Sequence, residues 1–221
     1  MTTFSSPQDN QDEPTLSWVW LLPVIILGLV ILWPLPAWLQ GEQVAWNLSR
    51  SGGVVAYLLL ALSTIWGLLL SNKLLPKAIH PAVTLAIHNY LGWTSVAFAA
   101  FHGLALLWDN YYDFSLSSIL LPFGAPYEPL WVGLGVGSFY MLVLTSGSYY
   151  LRRWIGQKNW RRLHYLTFLA FVGATLHSWQ AGTDSAQLTI MYGASTFTVL
   201  GLTMYRLLAA LNPEPRPAPR R

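Results

Sequence analysis

Four of the five histidines, His88, His102, His164 and His177, lie in stretches of chain that contain no Asp, Glu, Lys or Arg. Imidazole carries protons and binds metals, and an ionisable group inside a long apolar segment is a functional hypothesis by default. The four fall on two segments. His88 and His102 are 14 residues apart on one, and His164 and His177 are 13 apart on the other. Counted back from the acidic residues that end these segments, Asp109 and Asp184, His102 and His177 each lie 7 residues in, His88 lies 21 in and His164 lies 20 in. Each segment therefore offers two imidazoles at two shared levels. At about 1.5 Å of rise per helical residue, the levels are roughly 20 Å apart. The chain has no cysteine, which excludes disulfides, iron–sulfur clusters and thiolate ligation.

The elements that must position these residues follow from composition. Of 221 residues, 54% are hydrophobic and 10% charged, against about 25% charged in a soluble domain. The charges cluster, leaving six charge-free windows at 14–41, 51–72, 78–108, 129–151, 163–183 and 185–205, each at least 21 residues long. A hydrocarbon core of about 30 Å takes roughly 20 helical residues to cross. The expectation is an all-α membrane protein, a six-transmembrane-helix bundle over 16–211, between disordered tails at 1–15 and 212–221. No Lys or Arg precedes the first window, so it reads as a retained helix and not a cleaved signal peptide. Pro23, Pro34 and Pro36 kink it or end it early. The other spans are expected at about Arg50–Leu70, Pro81–Trp108, Leu130–Leu151, Arg161–Gln180 and Gln187–Leu211, with Pro122, Gly124 and Pro126 turning the loop before Pro129.

Charge sets the orientation. One side carries Lys73, Lys77, Arg152, Arg153, Lys158, Arg161, Arg162, Arg206, Arg216, Arg220 and Arg221; the other carries Arg50 alone, a split of 11 to 1 among the 12 cations. By the positive-inside rule both termini are cytoplasmic, in a multi-pass cell-membrane protein, most simply of a bacterial inner membrane. The net charge of +3 then reflects topology and does not call for nucleic acid. The outer face holds Glu42, Asp109, Asp113, Glu128 and Asp184, with Trp38, Trp46, Trp108, Tyr111, Tyr112, Trp131 and Trp179 as an aromatic belt at the lipid boundary.

In this topology the third and fifth spans run in the same direction, so their histidines face each other at matching depth. A haem iron with one imidazole above and one below needs that arrangement. The expected pairs are His88 with His164 and His102 with His177, holding two haems between the third and fifth spans. The phase is imperfect. At about 100° per residue, 14 steps fall roughly 40° short of four turns and 13 steps roughly 140° short, so the fifth span must bend, bulge or use different rotamers, and Gly173 is the place expected for such an adjustment. Other readings of such histidines are a polar interhelical contact or a proton relay. His80, before Pro81, reads as interfacial. Gly92, Gly103 and Gly147 would let a macrocycle near the backbone, or serve plain helix packing. Arg50 stands at the level of the outer pair, where it would meet haem propionates or snorkel to lipid phosphate. The run RRWIGQKNWRR from Arg152 sets topology, and would also meet inner propionates or an acidic donor protein.

With these residues in place the chain resembles the ferric reductase-like transmembrane domain family. That family includes the membrane part of NADPH oxidases and ferric-chelate reductases, and the haem membrane subunit that feeds electrons to periplasmic methionine sulfoxide reductase. The resembling stretches are RSGGVVAYLLLALSTIWGLLLS from Arg50, HNYLGWTSVAFAAFH from His88 and LRRWIGQKNWRRLHYLTFLAFVGATLH from Leu151. The resemblance implies that His88, His102, His164 and His177 ligate two haems, that Arg50 lies near the outer one, and that electrons pass from a cytoplasmic or membrane donor to an outer-face acceptor. Oxidases and ferric-chelate reductases continue into a flavin and nicotinamide domain, whereas this sequence ends ten residues after Leu211 without a Gly-rich dinucleotide motif. The implied donor is a separate flavoprotein or a quinol; the implied acceptor is a ferric chelate, oxygen or a redox protein. The chain is thus expected to be an oxidoreductase or an electron-transfer subunit. Its size resembles the methionine sulfoxide reductase subunit, but that subunit typically lacks a ligand where His88 stands.

Overall fold

A computed structural model of the protein describes residues 44–211 apart from Lys77 and Asn110. The first window, both tails, and Trp38, Glu42, Lys77, Arg216, Arg220 and Arg221 lie outside the described residues. Those described form helices and loops, with no strand among them. The helices are α1 (Val44–Ser71), α2 (Pro81–Ala105), a short α3 (Leu116–Leu120), α4 (Pro129–His164), α5 (Leu166–Ala181) and α6 (Thr189–Leu211). Leu106–Trp108 extends α2 by a 3₁₀ turn.

Four helical runs among the described residues are long and apolar enough to cross a membrane: Val44–Ser71, Pro81–Trp108, Pro129–Ala181 and Thr189–Leu211. The third run, at 53 residues, is a hairpin. Its backbone leaves helical geometry at Gly156, with φ 78° and ψ 155°, a region essentially open to glycine alone. Beyond that break the chain returns: the Tyr127 hydroxyl donates to the Ala181 carbonyl at 3.2 Å, and a Cβ on Gly173 would strike Ser138 Oγ. The basic run expected to be a plain connection is therefore helical on both sides of Gly156. The turn before it also holds a short helix not foreseen from sequence, α3, whose Ser115 and Ser118 form a reciprocal capping box.

α1 organises the bundle. Along it, Ser49 meets His102, Ala56 accepts from Ser95 and Trp66 donates to Thr84, so α1 and α2 are antiparallel. Tyr57 meets Thr175 and Phe171 while Arg50 reaches Asp184, so α5 also runs antiparallel to α1. Hence α2 and α5 are parallel to each other. The apolar core comprises Tyr57, Leu60, Ala61 and Leu68 of α1, Leu142 of α4, Phe171 of α5, and Tyr192 and Val199 of α6.

The chemistry of the surface is inverted relative to a soluble domain. The interior takes small hydroxyls, among them Ser49, Ser95, Ser138, Thr145 and Ser148, and large apolar side chains point outward, as with Ile190 at 84% and Phe197 at 79% exposure. Some interior hydroxyls donate to the preceding turn, as Thr64 does to Leu60 and Ser138 to Leu134, while Ser49 and Ser95 donate to a neighbouring helix. Small residues let helices approach where hydrocarbon surrounds them, and the outward face needs no polar groups. These observations make the chain a membrane protein.

Candidate functional site

The structure brings the four histidines together as two facing pairs. His88 and His164 have ring centroids 6.0 Å apart with planes at 76°. His102 and His177 are 5.9 Å apart at 66°. The unbroken α2 carries His88 and His102, and 14 steps place the two levels about 21 Å apart along its axis.

The phase mismatch is resolved elsewhere than at Gly173. That glycine sits inside α5, buried against Ser138 and Leu134. The break lies at Tyr165, immediately after His164. There Tyr165 N–H bonds back to the Arg162 carbonyl at 3.3 Å and Phe168 N–H to Tyr165 at 3.1 Å, the i to i+3 pattern of a tightened turn. Each such step advances about 120° instead of about 100°, which recovers part of the roughly 140° shortfall.

Hydrogen bonds fix which nitrogen is left free in three of the four rings. His88 Nδ1–H donates to the Ser63 carbonyl at 3.0 Å, His102 Nδ1–H to the Ser49 carbonyl at 2.7 Å, and His177 Nδ1–H to the Trp131 carbonyl at 3.0 Å. A carbonyl only accepts, so the proton is on Nδ1 and the Nε2 lone pair is left for a ligand. A backbone carbonyl on the second ring nitrogen is the usual support of a metal-binding imidazole. His164 differs: its buried Nδ1 has no hydrogen-bond partner among the described residues, and its ring stacks on Trp160 at 5.3 Å and 23°.

Glycines make room for the rings. A Cβ on Gly53 would stand 2.9 Å from His102 Nδ1, one on Gly67 3.0 Å from His88 Cε1, and one on Gly135 2.8 Å from the His177 ring. On α1 this produces a repeat that the sequence analysis overlooked. Ser49 with Gly53 serves His102, and Ser63 with Gly67 serves His88, so S-x-x-x-G recurs after 14 residues, the interval that separates the two histidines. Of the glycines singled out from sequence, Gly103 and Gly147 have open space where a Cβ would stand, whereas Gly92 faces Ser63 and Ser146 at van der Waals distance.

The pair spacing allows a test of whether haem fits. If iron–imidazole bonds resemble the about 2.0–2.1 Å of zinc–imidazole, with the ring centre roughly 1.2 Å behind the nitrogen, opposed rings on one metal stand about 6.4 Å apart. The observed 6.0 and 5.9 Å fall within half an ångström or so of that. No group of three or more His, Cys, Asp or Glu gathers among the described residues. Two imidazoles are a sparse set for a bare ion and a sufficient one for a metal whose equatorial positions a macrocycle fills. The spacing of both ring pairs fits such a group.

An apolar cavity of about 320 Å³ borders the outer pair, lined in part by Ser49, Arg50, Gly53, His102, Gly135 and His177. Arg50 forms an ion pair with Asp184 at 33% and 40% side-chain exposure. Arg50 therefore lines the cavity and is held by a carboxylate that served the sequence analysis only as a depth marker. Trp46, Tyr112 and Tyr127 cluster beside it, with centroids 4.9 to 5.9 Å apart. Burial, with Tyr112 and Glu128 nearby, pushes the Tyr127 phenol above its ordinary value, so it stays protonated and keeps its bond to Ala181. On the opposite side, Arg152 lies over the rings of Tyr149 and Trp160, and Arg153 over Trp154. His80 is apart from both pairs; it caps α2, its Nδ1 accepting from Ala82 N–H at 3.2 Å. Comparison with protein-family models, curated proteins and solved structures returns no match for this chain.

Proposed function

We propose that the protein is a di-haem b-type transmembrane electron-transfer protein of ferric reductase-like architecture. In this reading six spans cross the membrane, with window 14–41 as the first, and both termini are cytoplasmic. His88 and His164 hold the inner haem; His102 and His177 hold the outer one. The observation that carries the reading is the recurrence of one ring pair at two depths, each about 6 Å across. When bound, the haems supply one-electron chemistry between a cytoplasmic or membrane donor, a flavoprotein or quinol, and an outer acceptor such as a ferric chelate, oxygen or a redox protein.

The protein's own contribution is position and electrostatics. Carbonyls of Ser49, Ser63 and Trp131 hold three imidazoles through Nδ1 and leave their Nε2 lone pairs free. Gly53, Gly67 and Gly135 let neighbouring helices close on the rings. The two imidazoles at each level would hold a haem between them, and the chemistry it would supply there is one-electron transfer. Arg50, beside the outer pair, offers a guanidinium to propionate carboxylates in a partly apolar setting, where a charge-assisted bond is strongest. A reduced-minus-oxidised visible spectrum of the purified chain tests the reading: b-type bands are expected, and their absence would leave the histidines as a proton path or as structural contacts.

A further inference from the structure

We propose that Trp160 is the positioning residue of His164, doing by ring stacking what backbone carbonyls do for the other three imidazoles. The inference rests on the two-haem reading above. Three of the four rings are locked through Nδ1; the His164 Nδ1 is buried without a partner among the described residues. A ring that turns about its own side-chain torsions needs a second restraint to present Nε2 in one direction, and for His164 the neighbouring aromatic provides it. Trp160 lies one helical turn earlier, where i and i+4 side chains meet, and its ring is nearly parallel to the imidazole, 5.3 Å away and tilted by 23°.

The indole is itself held. The Arg152 guanidinium lies 5.6 Å from its centroid. On a straight helix, residues eight apart would be separated by about 12 Å along the axis. The left-handed backbone at Gly156 turns the chain between them and brings the cation onto the ring. Arg152, Trp160 and His164 thus form one stack, from the basic surface run to the inner pair, where His88 faces His164 with its ring plane at 76°. The indole Nε1 has no partner among the described residues either, so the contact between the two rings is through their faces and not a hydrogen bond.

The test uses the full chain, purified with its haems, and reads the low-spin ferric electron paramagnetic resonance signals, which depend on how the two axial ring planes are oriented. The signal missing from His88→Ala identifies the inner haem. Trp160→Ala is expected to shift or broaden that signal and leave the outer one in place, while Trp160→Phe, which keeps a stacking ring and loses the N–H, retains the wild-type signal. Should Trp160→Ala lose the outer signal too, and so fail to fold, Trp160→Leu gives the same comparison with the bulk retained. Unmoved inner signals in Trp160→Ala or Trp160→Leu overturn the proposal, as does Trp160→Phe behaving like Trp160→Ala. A wild-type chain without haem overturns the function itself, a distinct outcome.

Discussion

His102 and His177 face each other 5.9 Å apart, each with its Nδ1–H fastened to a carbonyl of a third or fourth helix, Ser49 of α1 and Trp131 of α4. Each imidazole therefore joins two helices as well as facing its partner. The α1–α2 and α4–α5 hairpins meet through these rings. Each ring is thus tied through Nδ1 to the backbone of a neighbouring helix, the kind of preorganised support on which metal sites depend.

If the pairs are ligand pairs, their losses are selective. His88→Ala or His164→Ala should remove one haem and keep the other; His102→Ala or His177→Ala should remove the other one. His80→Ala should leave haem content unchanged, because His80 caps a helix. Haem per chain and the surviving spectral component check this, and equal haem loss in His80→Ala and His88→Ala would defeat the assignment.

Glycine substitutions should show the same selectivity without touching a ligand. Gly135→Ala places a methyl 2.8 Å from the His177 ring, closer than side-chain carbons normally approach, and should displace the outer haem. Gly67→Ala should act on the inner one through His88. Gly193→Ala on α6 meets nothing within 4 Å and should be neutral or stabilising by about 0.5–1 kcal/mol, as helical Gly to Ala is. Haem occupancy and thermal unfolding in detergent report both effects.

Arg50 and Asp184 separate an electrostatic role from a structural one. The pair is about a third exposed on each side, and such a pair contributes roughly 0.2–1 kcal/mol. Asp184→Asn should therefore cost little stability and keep both haems. Arg50→Gln removes the cation lining the outer cavity and should lower the outer reduction potential, since a nearby positive charge favours the reduced state. A redox titration in which Arg50→Gln leaves the outer potential at its wild-type value would return Arg50 to a purely structural pair.

Tyr57 tests the packing account independently of any cofactor. It is 3% exposed, its hydroxyl lies 2.7 Å from Ser195 Oγ and 3.3 Å from Thr175 Oγ1, and its ring packs on Phe171 and Tyr192. Tyr57→Phe should cost about 0.5–1.5 kcal/mol, because Ser195 keeps its backbone acceptors. Tyr57→Ala should cost about 3–5 kcal/mol. Thermal unfolding of both variants in detergent measures the difference.

Much of this arrangement can be read along the chain. Charge-free windows locate the apolar helices because hydrocarbon excludes charge, and Pro81 and Pro129 mark starts that the structure keeps. Depth counting pairs the histidines because parallel helices share one rise per residue. What escapes is nonlocal or conformational. The Ser63 and Trp131 carbonyls serve as acceptors only after helices meet, and backbone acceptors leave no trace in residue type. Gly156 looked like part of a basic loop, since a positive φ inside a helical run is set by the return of the hairpin. Gly173 was expected to absorb the twist, but the tightened turn formed at Tyr165, next to the ligand itself. The S-x-x-x-G repeat stands in the sequence, but its meaning depends on α1 lying antiparallel to α2.

The central claim is that two imidazole pairs each grip one iron porphyrin. The most direct measurement is pyridine-haemochrome content per mole of purified chain. The account predicts two haems b per chain, falling to one when either member of a pair is replaced; a wild-type ratio of zero or one would contradict it.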